Sequence, residues 1–275
     1  MFSSTTRSVV AVAGLAMATA SLAACAPSSS AHGLSVVATT TQICDYVTQI
    51  AARSADISLD KTDAAGKNSH VGAAPDGAAL TMSLTCLLAP NASAHEHEMT
   101  PEQTSALAQA DVMAVSGVDL EHFLDDAVVS SGFKGRMVVT SGVLTAADVD
   151  NPGAPDPEGA YTIDRGSERV DVAPWPFPPE EAGEEPEFRF DPHVWTSPKG
   201  ARVQVANLGA GLAAAAPYAA SSINAATASY LEDIDALDEW TAEAIETVPE
   251  GQRVLFTSHD AFGYFSRDYG IRFIG

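Results

Sequence analysis

The chain has 275 residues, 46% of them hydrophobic, which is enough for one large hydrophobic core or two smaller ones. Its 36 Asp and Glu against 14 Lys and Arg give a formal net charge of -22 at pH 7. A surface this acidic repels nucleic acid and anionic lipid headgroups, so the composition argues against a nucleic-acid-binding protein.

The start of the chain has the pattern of an export signal. Arg7 lies in a short polar stretch, an apolar run follows over residues 8–20, and Leu-Ala-Ala-Cys ends the segment at Cys25. The run is short for a membrane span, and small residues follow it. Its ending resembles a bacterial lipobox, whose cysteine is lipidated; an ordinary signal peptide with an incidental cysteine is the alternative. We therefore expect a signal peptide over 1–24, lipidation of Cys25 and a flexible tether over 25–33.

Strand and helix patterns alternate from residue 34 onwards. Residues 34–40 form a β-branched, mostly apolar run that is typical of a buried parallel strand, and residues 42–53 have helical spacing. Residues 54–77 show no period and are rich in Gly, Ala and polar residues, so the sequence predicts an exposed loop there. His70, inside that loop, is interpreted as a solvated residue rather than a metal ligand.

Three further strands complete the pattern of one lobe. They are predicted at residues 79–88, 111–116 and 136–140, with a short helix at 120–129 that carries His122 on its surface. Four strands with three intervening helices are typical of a doubly wound α/β lobe built on a parallel sheet.

A long acidic stretch separates this lobe pattern from two helices. Residues 151–187 are rich in Pro, Gly, Asp and Glu, which predicts a long loop. An Ala-rich helix then runs to residue 216, and a second helix over 219–248 would span on the order of 45 Å at 1.5 Å per residue. A strand at 253–257 and a helix at 261–269 begin a new unit.

Three histidines stand at turns that precede predicted helices. His95 lies between the second predicted strand and the sequence Thr-Pro-Glu-Gln at residues 100–103, which predicts a capping box. His193 lies in a proline-restricted turn before Ser197-Pro198, which predicts a helix N-cap followed by proline at the first helical position. His259 follows a later apolar run. Because an α/β sheet gathers ligand groups at the carboxyl ends of its strands, these imidazoles are candidate ligands of one metal ion.

Two cysteines remain when Cys25 is set aside. Cys44 and Cys86 form an even pair, and an exported protein meets an oxidising compartment. A disulfide between them would join the first helix to the second predicted strand. Two buried thiols are the alternative, because the sequence does not show how far apart the Cα atoms lie.

The chain resembles the solute-binding lipoproteins of zinc and manganese ABC transporters, the cluster A-I or ZnuA-like family. Its strongest matching motifs are Asp-Pro-His-Val-Trp at His193 and Ser-His-Asp-Ala-Phe-Gly-Tyr-Phe at residues 258–265. A weaker match is His95 followed by Glu and by the Thr-Pro helix start. The family usually has Asp-Pro directly before its first histidine, where this chain has Ser-Ala, so His97 stays an alternative to His95.

The resemblance implies two similar lobes joined by one long helix, with a metal ion held between them. The N-terminal lobe would cover residues 34–218, the linking helix 219–248 and the start of a second lobe 249–275. About 27 residues after the helix are too few for a lobe, so the resemblance implies a truncated second lobe and a fourth carboxylate ligand beyond this chain. It also implies a monomer, lipid-anchored on the outer face of the cell membrane, that hands its ion to an ABC permease.

The residue types favour zinc as the ion. The resemblance gives His95, His193 and His259 as ligands, and neutral imidazoles suit zinc, whereas carboxylate and water oxygens suit manganese. Asp191 and Asp260 could orient the rings, and affinity should fall below roughly pH 6.5 as imidazoles protonate. The alternatives are a manganese-binding member, a nonfunctional truncated product, or a metal-dependent hydrolase. The sequence has neither a His-Glu-x-x-His helix nor a Gly-x-Ser-x-Gly elbow, so no enzyme is expected.

Overall fold

The computed structural model describes Met1, residues 33–156, residues 159–179, Pro186 and residues 188–274. Apart from Met1, the predicted signal peptide lies outside the described residues, and so does the predicted lipidation site Cys25. Within the described ranges, no helix combines the length and apolar character that a membrane span requires.

Strands and helices alternate along most of the described chain, as the sequence predicts. In chain order they are β1 Gly33–Ala38, α1 Thr41–Ala52, β2 Ile57–Thr62, β3 Asn68–Gly72, β4 Leu80–Cys86, α2 Pro101–Ala108, β5 Val112–Val115, α3 Leu124–Ser131, β6 Arg136–Val139, α4 Ala146–Asp150, β7 Thr162–Asp164, α5 Pro198–Ala215, α6 Ala220–Glu246, β8 Val254–Phe256, α7 Gly263–Tyr269 and β9 Arg272–Ile274.

A seven-stranded sheet in the order β3-β2-β4-β1-β5-β6-β7 forms the centre of the fold. Its strands pair in parallel except at the β3 edge, which runs antiparallel to β2. The chain builds outward from β1 in both directions, so the sheet has a topological switch point beside β1. The α/β class with a mostly parallel sheet is thereby confirmed.

Helices cover both faces of the sheet, which explains why its central strands are apolar on both sides. One buried cluster joins β1, β2 and β4 to α1, α5 and α6. A second cluster joins β5 and β6 to α2 and α3 on the opposite face. All four residues of β5 are buried, as the continuous apolar run predicts.

Two long helices, α5 and α6, pack against each other where Gly209 faces Thr227. A Cβ atom at residue 209 would lie 2.3 Å from the Thr227 hydroxyl oxygen, so only glycine allows this approach. The helix α6 occupies most of the stretch 219–248 that was predicted as helical. The division of the chain into two lobes about this helix stays a prediction. Beyond α6, strands β8 and β9 pair in parallel as a separate two-stranded sheet.

The prediction of an exposed loop over residues 54–77 is wrong. This stretch contains β2, whose first three residues are buried beside β4, and the edge strand β3. Asp63 and Gly66 form the turn between them, because the Asp63 carboxylate accepts backbone hydrogen bonds and Gly66 adopts a φ of 78°. Only two of the buried residues of β2, Ile57 and Leu59, are apolar, so pairing with β4 rather than the local sequence pattern determines the strand.

Two other sequence predictions also need correction. The acidic stretch 151–187 includes a strand, β7, which pairs in parallel with β6. Three residues are too few to give a periodic signal. Helix α3 begins at Leu124 rather than at residue 120, so His122 lies before the helix and not on its surface. The chain turns there because the buried Glu121 carboxylate accepts the backbone N–H groups of Ser116 and Gly117.

Candidate metal centre

Three histidine rings from separate parts of the chain converge on one point. His95, His193 and His259 each offer a ring nitrogen, and these three nitrogens all lie within 4.8 Å of one another. His193 is buried, His95 half-buried and His259 exposed, so the point is open on one side. Zinc–nitrogen bonds are about 2.0 to 2.1 Å long, so the rings need inward shifts of only about 1 Å to share one ion.

Local structure on each side of the rings fixes their positions. His95 lies in the loop from β4 to α2, and α2 begins with the predicted capping box of Thr100 and Gln103. His193 directly precedes a turn of 3₁₀ helix, and Ser197 then caps α5 as predicted. His259 lies in the loop from β8 to α7.

Asp191 orients the ring of His193. Its Oδ1 atom accepts a hydrogen bond from the His193 backbone N–H at 2.9 Å and lies 2.8 Å from Nδ1. Both side chains are 1% exposed. Because the carboxylate accepts the Nδ1 proton, Nε2 keeps its lone pair, and this buried atom has no hydrogen-bond partner among the described residues. An imidazole held in this way is prepared to bind a cation. Asp260, the other candidate for this role, makes no hydrogen bond to the three rings in the described structure.

The ring of His95 lies among an aromatic ring and other imidazole rings. Its ring centre lies 4.9 Å from that of Phe188 and 5.5 Å from that of His193. Burial, followed by the neighbouring imidazoles of His193 and His122, lowers the pKa of His95 to about 4. The ring is therefore uncharged at neutral pH, which is the form that binds a metal ion.

The remaining histidines in the described residues lie outside the group of three. His97 points to α2, where its Nε2 atom is 3.1 Å from the side-chain oxygen of Gln103. His122 is exposed, with its ring centre 5.9 Å from that of His95. His70 lies on β3 and pairs with Asp60 at 2.9 Å. His95 thus lies at the centre with His193 and His259, whereas His97 contacts Gln103 at the start of α2.

Tyr264 is a buried residue beside the centre that the sequence reasoning missed. Its hydroxyl donates a hydrogen bond to the Asp191 carbonyl oxygen at 2.8 Å and accepts one from the Ala173 N–H at 3.2 Å. Burial raises the pKa of Tyr264, so the hydroxyl keeps its proton. The residue before it, Gly263, approaches Asp191 so closely that a Cβ atom would lie 2.3 Å from Oδ2. Their position in the motif 258–265 was the available signal, but their contact with Asp191 is visible only in three dimensions.

We expect Tyr264→Phe to lower the free energy of unfolding by about 1 to 2 kcal/mol, because it removes both hydrogen bonds of the hydroxyl. It should also weaken metal binding at the three histidines, since Asp191 loses one of the groups that fix it. The matched control is Tyr269→Phe, which removes a hydrogen bond from α7 to Asp238, away from the histidines. Thermal unfolding and chelator competition measure the two effects. Wild-type metal affinity in the folded Tyr264→Phe protein would contradict this role.

The disulfide partners lie near the same edge of the sheet. Cys44 in α1 is joined to Cys86 at the end of β4, with 5.6 Å between the two Cα atoms. The loop that carries His95 leaves the sheet directly after Cys86. The bond therefore anchors the base of that loop to a helix.

Comparison with known proteins places these observations in a family. Residues 78–275 match the ZnuA family, described as the periplasmic component A of a zinc-uptake complex. The manganese-binding lipoprotein MntA of Bacillus subtilis is 28% identical over 83% of this chain and 63% of its own length. The zinc-binding protein TroA of Treponema pallidum is 36% identical over 32% of this chain and 29% of its own. This chain thus spans less than two thirds of the length of these curated relatives.

Solved structures share the fold. Zn(II)-bound AdcA of Streptococcus pneumoniae aligns with a TM-score of 0.58 and 20% identity, over 88% of this chain and 39% of that one. The periplasmic zinc-binding protein TroA aligns with a TM-score of 0.54 and 23% identity, over 88% of this chain and 66% of that one. The resemblance seen in the sequence motifs is confirmed. Because the match covers well over half of its residues, the chain belongs to the ZnuA family of periplasmic metal-uptake components, which are binding proteins and not enzymes.

Proposed function

We propose that this protein captures zinc outside the cytoplasmic membrane and delivers it to an ABC permease. The observation that carries the proposal is the convergence of His95, His193 and His259, whose ring nitrogens lie within 4.8 Å of one another. The zinc ion is cargo, so the site needs only to bind and release it. Lipidation at Cys25 would keep the protein at the membrane surface, close to the permease.

The donor set supports zinc as the first choice of ion. Three neutral imidazoles match the nitrogen ligands that zinc takes in proteins, whereas manganese favours oxygen ligands and retained water. Manganese is the second candidate, because the relative MntA is named for manganese binding and matches 83% of this chain. Titrating the protein with each ion in turn compares the two directly.

Substitution of His95 and His97 by Ala tests the proposed ligand set. We expect His95→Ala to weaken zinc binding by more than ~100-fold, beyond the 10- to 100-fold that loss of a hydrogen-bond partner of a metal ligand usually costs. His97→Ala should leave zinc affinity unchanged, because its ring contacts Gln103 and Phe123 instead. Competition with a chromophoric zinc chelator measures both. Loss of affinity in His97→Ala but not in His95→Ala would make His97 the ligand. Wild-type affinity in both variants would refute the proposed ligand set.

A further inference from the structure

Two aromatic side chains lie against the candidate metal centre on its buried side. The Phe188 ring centre is 4.9 Å from that of His95 and 6.0 Å from that of His193. The Trp175 ring centre is 5.9 Å from that of His193 and 5.0 Å from that of Phe188. Phe188 is only 7% exposed. We call Trp175 and Phe188 the aromatic wall.

Backbone pairing fixes the aromatic wall in place. The Trp175 N–H donates to the Arg189 carbonyl at 3.1 Å, and the Asp191 N–H donates to the Ala173 carbonyl at 2.9 Å. The Arg189 guanidinium also forms two hydrogen bonds with the Asp150 carboxylate at the end of α4. The same short pairing therefore holds both the aromatic wall and Asp191, the residue that orients His193.

The chemistry of the wall differs from that of the open side of the centre. Aromatic carbon atoms offer no lone pair to an ion and no hydrogen bond to its water. An apolar shell around a metal site limits water access and lowers the local dielectric. Zinc is commonly four-coordinate with nitrogen ligands, whereas manganese favours octahedral sites that complete their ligand set with oxygen atoms and water. A dry wall beside His95 and His193 should therefore penalise manganese more than zinc.

We propose that the aromatic wall is a specificity determinant, which makes the three-histidine site prefer zinc over manganese. This inference rests on the proposed function of metal capture. It assigns to Trp175 and Phe188 a role that is separate from ligation, because neither side chain has an atom that would bind the ion.

Shape-matched variants test the proposal. Leu and Asn have similar shapes, so Phe188→Leu and Phe188→Asn differ mainly in polarity. Phe265→Asn is the control, because the partly buried Phe265 ring contacts Phe262 and Tyr269 instead of the aromatic wall or a histidine. The dissociation constants of zinc and manganese are measured on the 275-residue chain, with thermal unfolding to verify folding.

We expect Phe188→Asn to reduce the ratio of zinc to manganese affinity by roughly 10-fold, because a polar side chain there can hydrogen-bond the water that manganese retains. Phe188→Leu should keep most of the preference, and Phe265→Asn all of it. The same ratio in the Asn and Leu variants would overturn the proposal, as would equal losses for both ions. If Phe188→Asn does not fold, Trp175→Asn and Trp175→Leu at the half-buried partner position give the same comparison. Failure of the wild-type chain to bind zinc would instead overturn the proposed function and this inference with it.

Discussion

Replacing His193 with Ala should abolish tight zinc binding, with a loss of more than ~100-fold in affinity. The substitution removes the one buried ring of the three, whose Nε2 atom has no other partner among the described residues. It also leaves the Asp191 carboxylate, 1% exposed, without the ring that it orients. Chelator competition measures the affinity, and thermal unfolding shows whether the variant is folded.

His70→Ala is the matched control for this experiment. His70 also pairs with an aspartate, at 2.9 Å from Asp60, but it lies exposed on the edge strand β3. Its removal should leave zinc affinity unchanged. A folded His193→Ala protein with wild-type affinity would refute the assignment of this histidine as a ligand.

Removing the disulfide should produce the largest change in stability. Cys44 and Cys86 are 42 residues apart in sequence, and closing a loop of this length stabilises the folded state by roughly 4 kcal/mol. The double variant Cys44→Ala/Cys86→Ala should lose about that amount in urea unfolding. Both side chains are buried, so Ala is preferred to Ser as the replacement.

The reducing agent dithiothreitol supplies an independent check on the disulfide. It should shift the unfolding midpoint of the wild-type protein toward that of the double variant and leave the variant itself unchanged. Identical midpoints for the wild-type protein with and without the reductant would contradict a stabilising bond. Because Cys86 ends β4 just before the His95 loop, zinc affinity should also fall when the bond is absent.

Local sequence signals predicted the parts of the centre that depend on neighbouring residues. The capping box at Thr100 and the N-cap at Ser197 are both present in the structure. Each fixes a helix start a few residues after a histidine, so the placement of His95 and His193 in helix-preceding turns could be predicted from short segments. The convergence of the rings was an expectation from the topology of parallel sheets.

Features that depend on contacts between distant residues could not be predicted from the sequence. The strand β7 has three residues and is defined by pairing with β6, so no periodic pattern in the sequence predicts it. Asp191 and Asp260 were equal candidates for orienting a ring until the distance to His193 distinguished them. Tyr264 is 73 residues from Asp191, and only the folded chain brings its hydroxyl to that carbonyl.

The close fit between Gly209 and Thr227 fixes the position of α5 against α6. The His193 turn leads directly into this helix, whose N-cap Ser197 lies twelve residues before Gly209, a distance of about 18 Å along the helix axis. Because α5 is one continuous helix, a bulkier side chain at residue 209 that shifts α5 against α6 would also shift the N-terminal end of α5, next to His193. Zinc capture would then respond to a substitution that touches neither the ion nor any of its ligands.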